Sequence, residues 1–427
     1  KSQLVEMNEV DIASFIEELD SEKTVVVFRM LPKELASEVF ACLEVEQQQH
    51  IITSITDNEL RAIIDDLYVD DAVDMLEELP ATIVRRVLQN SSPDTRKLIN
   101  QFLNYPENSA GSLMTIEYVD LHDYFTVRKA MDYIRRTGID KETVYTCYVI
   151  DDQRRLVGQV SLRKLIIAPE SACIRDIMDT NIVSAVTTDD QEAVADDFRR
   201  YDLTSIAVCD KEGRLVGIIT IDDIVDVIQD ENTEDIKKMA AIIPSDEDYM
   251  KTSVWSLVAH RLPWLMLLMI SATFTSTIIT HFETLLSGAV LLTAFIPMLM
   301  DSAGNSGSQT SVTVIRNLAL GEIELRDWPH VLAKEIGVAI VSGAALALVN
   351  FLRIIIFTST SMMIAAVVSV TLFCTVIIAM IVGCLLPIGA KKLGFDPAVM
   401  ASPMITTIVD ACSLMIYFLI ATSMLGL

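Results

Sequence analysis

The chain has 427 residues, a formal net charge of −26 and 51% hydrophobic residues, a length that allows about two to four domains. The eight Lys and Arg residues after position 250 balance the eight Asp and Glu residues there, so residues 1–250 carry the whole negative charge. This acidic half would repel nucleic acid, which argues against that partner, and it suits divalent cations. The seven cysteines form no CxxC pair, which argues against a disulfide framework or a zinc site.

Residues 1–104 carry apolar residues at helical spacing. Residues 30–35 (MLPKEL) are echoed 48 positions later by residues 78–83 (ELPATI), a distance of about two helical hairpins. The repetition predicts a superhelical N domain built from stacked helix pairs. On their own, acidic pairs such as Asp70 and Asp71 are more typical of solvated helix ends than of metal ligands.

Residues 105–230 contain an internal duplication. Residues 156–161 (LVGQVS) recur 59 positions later as residues 215–220 (LVGIIT), and residues 112–115 match residues 176–179. The pattern predicts two α/β units, 105–168 and 169–230, and resembles a tandem CBS pair.

The CBS resemblance implies a site for an adenine nucleotide such as ATP. In CBS modules a small-apolar-Thr-x-x-Asp ending holds the ribose, and the second unit has this ending as Thr220 and Asp223. The first unit reads Ser161 to Lys164 and lacks the Asp. The alternative is a CBS pair that serves only as a dimerisation platform.

An acidic connector over residues 231–256 follows the second unit. Residues 222–235 hold seven carboxylates, and those at positions 223, 226, 230 and 234 would share one face of a continuous helix. Like charges at that spacing destabilise a helix until a counter-ion arrives. The connector is therefore either a solvated linker or a cation-responsive element joined to the membrane part.

Residues 257–427 are predicted to span a membrane. A polar, glycine-bearing break at residues 301–309 is expected to interrupt the second span and to line a hydrated cavity. Asp410 is the one charge after Asp396, and an intramembrane carboxylate is a functional-site hypothesis by default; the alternative is a carboxylate that merely hydrogen-bonds a neighbouring helix. The five predicted spans cover residues 262–281, 285–314, 331–357, 361–390 and 397–424.

The predicted fold class is multidomain: a helical N-terminal superhelix, tandem α/β CBS domains, an acidic connecting helix and five transmembrane helices. Placing the acidic half in the cytosol leaves most Lys and Arg residues of the membrane part on the inner face, as the positive-inside rule requires. The chain is thus predicted to be a multi-pass protein of the cell membrane, inner or plasma, with cytoplasmic N-terminal domains.

This order of parts resembles the MgtE family of magnesium channels over essentially the whole chain. The most specific matches are residues 304–309 (GNSGSQ), residues 396–398 with Ser402, Pro403 and Asp410, and residues 233–236 (TEDI). The resemblance implies a homodimer with Mg2+ as substrate and regulator, and Asp410 as the pore acid. The chain departs from the family at Ser308 and Ser402, where some members carry Asn.

The resemblance also implies two sets of site residues. The pore set is Asp410, Asn305, Ser308, Ser402 and Thr406. The magnesium-sensing set is Asp202, Asp223, Asp226, Glu231, Glu234 and Asp235, with Glu192 as a peripheral member and Asp70 or Asp71 from the N domain.

The predicted function is a magnesium-selective channel for passive uptake that cytosolic Mg2+ closes, and not an enzyme. The main alternative is a coupled secondary transporter that moves Mg2+ against Na+ or protons. An intramembrane aspartyl protease would use Asp301 and Asp410, but the usual Gly-x-Gly-Asp context is absent. A membrane-bound sensor without transport is the third alternative.

Overall fold

The computed structural model describes residues 4–245, 249–250, 252–282, 290–358, 360–400 and 402–426. It divides into two compact units, residues 1–229 and residues 230–427. The predicted domain borders at residues 104, 168, 230 and 256 stay predictions. The first position of the predicted second span, residue 285, lies outside the described residues.

Eight helices form the N-terminal part of the first unit. Helices two apart in the chain pack on each other, α1 on α3, α3 on α5 and α5 on α7, as a stack of helix pairs requires. Their buried faces carry Ile, Leu, Val and Phe side chains such as Ile12, Phe40 and Leu60. The bounds are α1 Glu9–Glu17, α2 Ser21–Phe28, α3 Lys33–Ala41, α4 Val45–Ser54, α5 Asp57–Ile64, α6 Val69–Glu78, α7 Ala81–Asn90 and α8 Pro93–Phe102.

The duplicated region folds as two three-stranded sheets with the same topology. In each sheet the first strand pairs parallel with the second, and the second pairs antiparallel with the third. The repeated sequence forms the third strand of each sheet, as the duplication predicts. The strands are β1 Asp120–His122, β2 Thr146–Ile150, β3 Leu156–Ser161, β4 Ser184–Val186, β5 Ser205–Cys209 and β6 Leu215–Thr220.

The two repeats exchange their leading segments. Thr115 of the first repeat pairs with Ile218 in β6, and Asp179 of the second pairs with Gln159 in β3. Met114 and Met178 fill the space above Gly217 and Gly158, where a Cβ would clash with the methionine sulfur. The second repeated motif is therefore explained by packing against the opposite sheet.

Among the described residues, six α-helices accompany the two sheets, and the last of them is long. This helix, α14, runs without interruption from the CBS ending through the predicted connector, so Thr233 lies inside a helix and does not cap one. Continuity places positions 223, 226, 230 and 234 on one helix face, as predicted. The helices are α9 Ala110–Leu113, α10 Val127–Thr137, α11 Leu162–Ile167, α12 Ile174–Ile177, α13 Gln191–Tyr201 and α14 Ile221–Met239.

Five long helices follow in the second unit. Four stretches of the described residues are long and apolar enough to cross a membrane, and they match the first, third, fourth and fifth predicted spans. In place of the second span, α16 has 24 residues but is less apolar because of its polar stretch. The helices are α15 Val254–His281, α16 Ile296–Ala319, α17 Trp328–Phe357, α18 Met362–Lys392 and α19 Ser402–Leu425.

The predicted break in the second span is wrong, because α16 is helical throughout residues 301–309. Its glycines instead permit close helix packing. A Cβ on Gly307 would lie 2.9 Å from Ile405 Cγ2 and 3.1 Å from the backbone oxygen of Ala379. Small residues that let helix backbones approach are the usual means of association between membrane helices.

Candidate cation sites

The membrane unit brings α16 and α19 together at the polar stretch. A Cβ on Gly304 would lie 3.2 Å from Thr406 Cγ2, so the two helices approach closely at this level. The predicted pore residues Asn305 and Ser308 lie on α16, and Thr406 and Asp410 lie on α19. Ser402 is the first residue of α19.

The polar groups at this contact differ in their hydrogen bonds and in their exposure to solvent. The hydroxyl of Thr406 donates to the backbone oxygen of Pro403 at 3.0 Å, within its own helix. Asn305 is exposed and Ser308 is half-buried. Asp410 is half-buried, and none of the residues that the structure describes pairs with its carboxylate. An uncompensated carboxylate of this kind is expensive in a membrane unless a cation or water reaches it.

The first unit contains a separate acidic cleft of about 720 Å³. It brings together Asp70 and Asp71 at the start of α6, Asp223 on α14, and residues of the CBS pair. One Asp70 oxygen, Oδ1, is buried without a hydrogen-bond partner among the described residues. The acidic residues that line the cleft are Glu9, Glu38, Asp65, Asp66, Asp70, Asp71, Glu117, Glu142, Asp222 and Asp223.

Burial and mutual repulsion make four of these carboxylates hard to ionise. Burial first, and then the charges of Asp71 and Asp223, raise the pKa of Asp70 to about 9. Burial first, and then the charges of Glu117 and Asp222, raise the pKa of Asp71 to about 6. Burial first, and then the charge of Asp222, raise the pKa of Glu142 to about 7. The pKa of Asp223 rises to about 6 although its hydrogen bond from Thr220 opposes the shift. A bound cation would offset each of these costs.

The cleft does not include the whole predicted sensing set. Asp202 ends α13 in the left-handed conformation, with a φ of 51°, and is exposed. Glu192 in the first turn of α13 and Asp226 on α14 are also exposed, and none of the three lines the cleft. Glu231 is half-buried further along α14.

The remaining sensing residues lie at the end of α14, within the second unit. Lys238 Nζ lies 2.9 Å from Glu234 and 2.8 Å from Asp396, which precedes α19. Asp396 also accepts the backbone N–H of Ala398 at 2.8 Å, and Met239 packs on Ile315 and Ala398.

The pKa values of Asp235 and Lys238 are both raised, but for different reasons. Burial first, and then the charge of Asp396, raise the pKa of Asp235. Burial lowers the pKa of Lys238, but its hydrogen bonds to Asp396 and Glu234 outweigh that effect and raise the pKa. The end of α14 is thereby attached to both α16 and the entry of α19.

The predicted nucleotide residues do meet. The Thr220 hydroxyl donates to Asp223 at 3.0 Å at the junction of β6 and α14. At the matching position of the first repeat, Ser161 instead accepts the backbone N–H of Lys164 and caps α11. Only the second repeat therefore presents a carboxylate there.

Sequence reasoning missed Glu117, Glu142 and Asp222 as cleft residues, because they reach Asp70 only through tertiary packing. It also missed Glu335 on α17, which accepts a hydrogen bond from Thr310 at 3.1 Å. In the described parts of the chain, no three His, Cys, Asp or Glu side chains stand close enough to hold a bare metal ion. The open cleft instead fits an ion that keeps its water shell, as Mg2+ tends to do.

Family models match three parts of the chain. The model described as a divalent cation transporter, MgtE, matches residues 296–420. The MgtE intracellular N domain matches residues 7–108, and the CBS domain matches residues 110–171 and 174–230.

Known proteins are similar over nearly the full length. The magnesium transporter MgtE of Thermus thermophilus is 36% identical, over 99% of this chain and 94% of that protein. The magnesium transporter MgtE of Bacillus subtilis is 32% identical, over 99% of this chain and 93% of that protein. The solved cytosolic domain of the Mg2+ channel MgtE in complex with ATP is 38% identical and has a TM-score of 0.51, covering 53% of this chain and 92% of that one.

Proposed function

Because the chain belongs to the MgtE family of magnesium transporters, we propose that it is a magnesium-selective channel whose cation pathway passes Asp410. The chain is a membrane transporter of Mg2+ and not an enzyme. The channel assignment rests on one observation above all. Asp410 is a carboxylate on an apolar helix that has no partner among the described residues, and the Gly304–Thr406 contact places it next to the polar stretch of α16.

The chemistry of Mg2+ explains why one carboxylate per chain suffices. Mg2+ holds its waters at about 2.0–2.1 Å and sheds them reluctantly. A carboxylate that touches the waters selects the hydrated ion by charge and size, without a cage of direct ligands. Asn305, Ser308 and Thr406 supply oxygens at the same contact, and Ser402 belongs to the same proposed set. In a homodimer two copies of Asp410 would face one pathway.

Regulation by cytosolic Mg2+ is the second part of the proposal. In the acidic cleft, Asp70, Asp71 and Asp223 carry raised pKa values, so a cation that enters lowers the cost of their ionisation. Two carboxylates about 4 Å apart repel by about 4 kcal/mol at an effective dielectric constant of about 20. Bound Mg2+ removes that repulsion and favours the compact state, which we assign to the closed channel.

The exposed acids extend this sensor along α13 and α14. Asp202, Glu192 and Asp226 attract hydrated ions to the surface, and Glu231, Glu234 and Asp235 continue the acidic face to the end of α14. The ion pairs of Lys238 attach that end to Asp396, before α19. A change in α14 would thus reach the helix that carries Asp410.

An adenine nucleotide is the proposed ligand of the second CBS repeat. The support is the Thr220–Asp223 pair and the ATP complex of the 38% identical cytosolic domain. Calorimetry on the full-length protein with ATP tests it: heat that Asp223→Ala removes supports the site. Absence of heat at millimolar ATP leaves the CBS pair as a dimerisation platform.

Flux in proteoliposomes tests the channel proposal. A channel gives Mg2+ currents that reverse where the Mg2+ gradient alone predicts. A coupled carrier gives flux that stops when Na+ and the proton gradient are removed, and that result would replace the channel by the carrier. Asp410→Asn should abolish the current. Glu322→Gln, which removes one charge from the exposed loop after α16, should leave it unchanged.

A further inference from the structure

The contacts between α16 and α19 define an antiparallel register. The Tyr417 hydroxyl donates to the backbone oxygen of Leu292 at 2.9 Å, just before α16 begins. Gly304 lies against Thr406, and Ile315 packs with Ala398 at the opposite end. Along this contact, the residue number on α19 therefore decreases as the residue number on α16 increases.

This register places a second carboxylate level with Asp410. Asp301 lies one helical turn before Gly304, and Asp410 lies one turn after Thr406, so both are displaced from that contact toward the same end of the helix pair. The two acids thus stand opposite each other on adjacent helices.

Asp301 shares a helix face with the proposed pore residues of α16. Asn305 follows it by four positions and Ser308 by seven, the spacing that aligns side chains along one face. Asp301 is exposed in the single chain. Within the described ranges, neither Asp301 nor Asp410 has a cationic partner or a hydrogen-bond donor. Two unneutralised carboxylates at one level of adjacent helices in a membrane protein repel each other unless a cation compensates both.

We propose that Asp301 is a second acidic residue of the cation pathway, level with Asp410, and that it sets how tightly the pathway takes up external divalent cations. The inference rests on the proposed pathway through Asp410. Asp410 provides the charge without which the ion does not pass. Asp301 raises the local concentration of divalent over monovalent cations at the same level, because a doubly charged ion gains twice as much from an added carboxylate.

Flux into proteoliposomes at varied external Mg2+ tests this role with the full-length protein. Asp301→Asn should raise the half-saturating Mg2+ concentration about tenfold, the equivalent of about 1.4 kcal/mol. Maximal flux should stay within about twofold of the original protein, and Na+ should compete more strongly. Asp301→Glu, which keeps the charge, should restore the original half-saturation. Glu322→Gln is the control for loss of one negative charge from the membrane unit.

The outcomes separate the proposed role of Asp301 from the proposed pathway through Asp410. If Asp301→Asn leaves half-saturation and Na+ competition unchanged while Asp410→Asn abolishes flux, Asp301 is not a pathway residue and the pathway through Asp410 stands. If Asp410→Asn conducts normally, the pathway itself is wrong. If Asp301→Asn does not elute as a folded protein, Asp301→Ser takes its place with the same expected shift. Loss of flux in both the Asn and Glu variants would indicate a packing role and overturn the inference.

Discussion

The two units differ in how many carboxylates they bring together at one place. The cleft of the first unit gathers ten acidic residues in about 720 Å³, open to solvent and far in sequence from the membrane helices. The membrane unit places two acids, Asp301 and Asp410, level with each other on adjacent apolar helices. The difference in density matches a difference in the task proposed for each group.

In the cleft, several acids are harder to ionise because of burial and of their neighbours' charges. The raised pKa values of Asp70, Asp71 and Glu142 arise from burial first and then from other carboxylates. Many weak and interdependent sites respond in a graded way to a cation that is abundant in cells. About 5.5 kcal/mol of differential binding is enough to move a two-state equilibrium from 1:99 to 99:1. In the membrane unit, by contrast, removing one of the two acids removes half of the acidic charge at that level.

The largest effect should follow from Asp410→Asn. Mg2+ flux in proteoliposomes should fall by at least about a hundredfold, which corresponds to about 2.7 kcal/mol, because no other unpaired acid of α19 can replace it. Mg2+ binding to the first unit, measured by calorimetry on the same protein, should stay within about twofold. Glu322→Gln should alter neither quantity. If flux and Mg2+ binding fell equally, the two units would not have separate roles in conduction and in sensing.

A smaller effect should follow from Lys238→Met, which removes the ion pairs to Glu234 and Asp396. These groups are partly exposed, so the pair contributes only about 0.5–1 kcal/mol and the Mg2+ concentration that halves the flux should shift by about two- to fivefold. Lys237→Met is the matched control, because Lys237 donates to the backbone oxygen of Ser245 instead. A shift of the same size in both variants would show that charge, and not the attachment to Asp396, is responsible.

The smallest expected effect is a change of folding stability with pH. Because the folded pKa values of Asp71, Asp223 and Glu142 are raised to about 6 to 7, the folded cleft binds protons more tightly than the unfolded chain. Without Mg2+, stability should therefore be greatest at low pH and decline as pH rises toward 7. The acids and the arginine that face these groups are Glu9, Glu38, Asp65 with its partner Arg61, Asp66, Asp70, Glu117 and Asp222.

Thermal unfolding of the full-length protein at about pH 5.5 and about pH 8 measures this linkage. The unfolding temperature of the first unit in Mg2+-free buffer should be a few degrees lower at the higher pH. Added Mg2+ should raise it at the higher pH and have little effect at the lower. A rise of the same size at both pH values would mean that Mg2+ does not bind at these carboxylates.

What the sequence predicted well was local or repeated. The duplication at Leu156–Ser161 and Leu215–Thr220 predicted equivalent strands, because residues in the same local pattern form the same element. The spacing of the acids at positions 223, 226, 230 and 234 predicted a shared face on the condition of a continuous helix, and α14 meets that condition. The apolar runs after residue 257 predicted four of the candidate spans for the same reason.

What the sequence did not predict depends on contacts between distant segments. A polar, glycine-bearing stretch predicts a broken helix, but Gly307 is needed where α16 meets Ile405 and Ala379. Glu117 and Glu142 carry no signal that links them to Asp70. Asp301 was associated with Asp410 only in the rejected protease alternative, because their common level requires the register of α16 on α19.

The most direct test of the account is Mg2+ flux against internal Mg2+ for the double variant Asp71→Asn with Glu142→Gln, beside Asp410→Asn. The cleft variant lacks two of the carboxylates whose repulsion Mg2+ is proposed to relieve, so its flux should no longer change as internal Mg2+ rises. Asp410→Asn should not conduct, while its first unit still binds Mg2+. A cleft variant that closes at the same internal Mg2+ as the original protein would contradict the assignment of sensing to the dense carboxylates of the first unit.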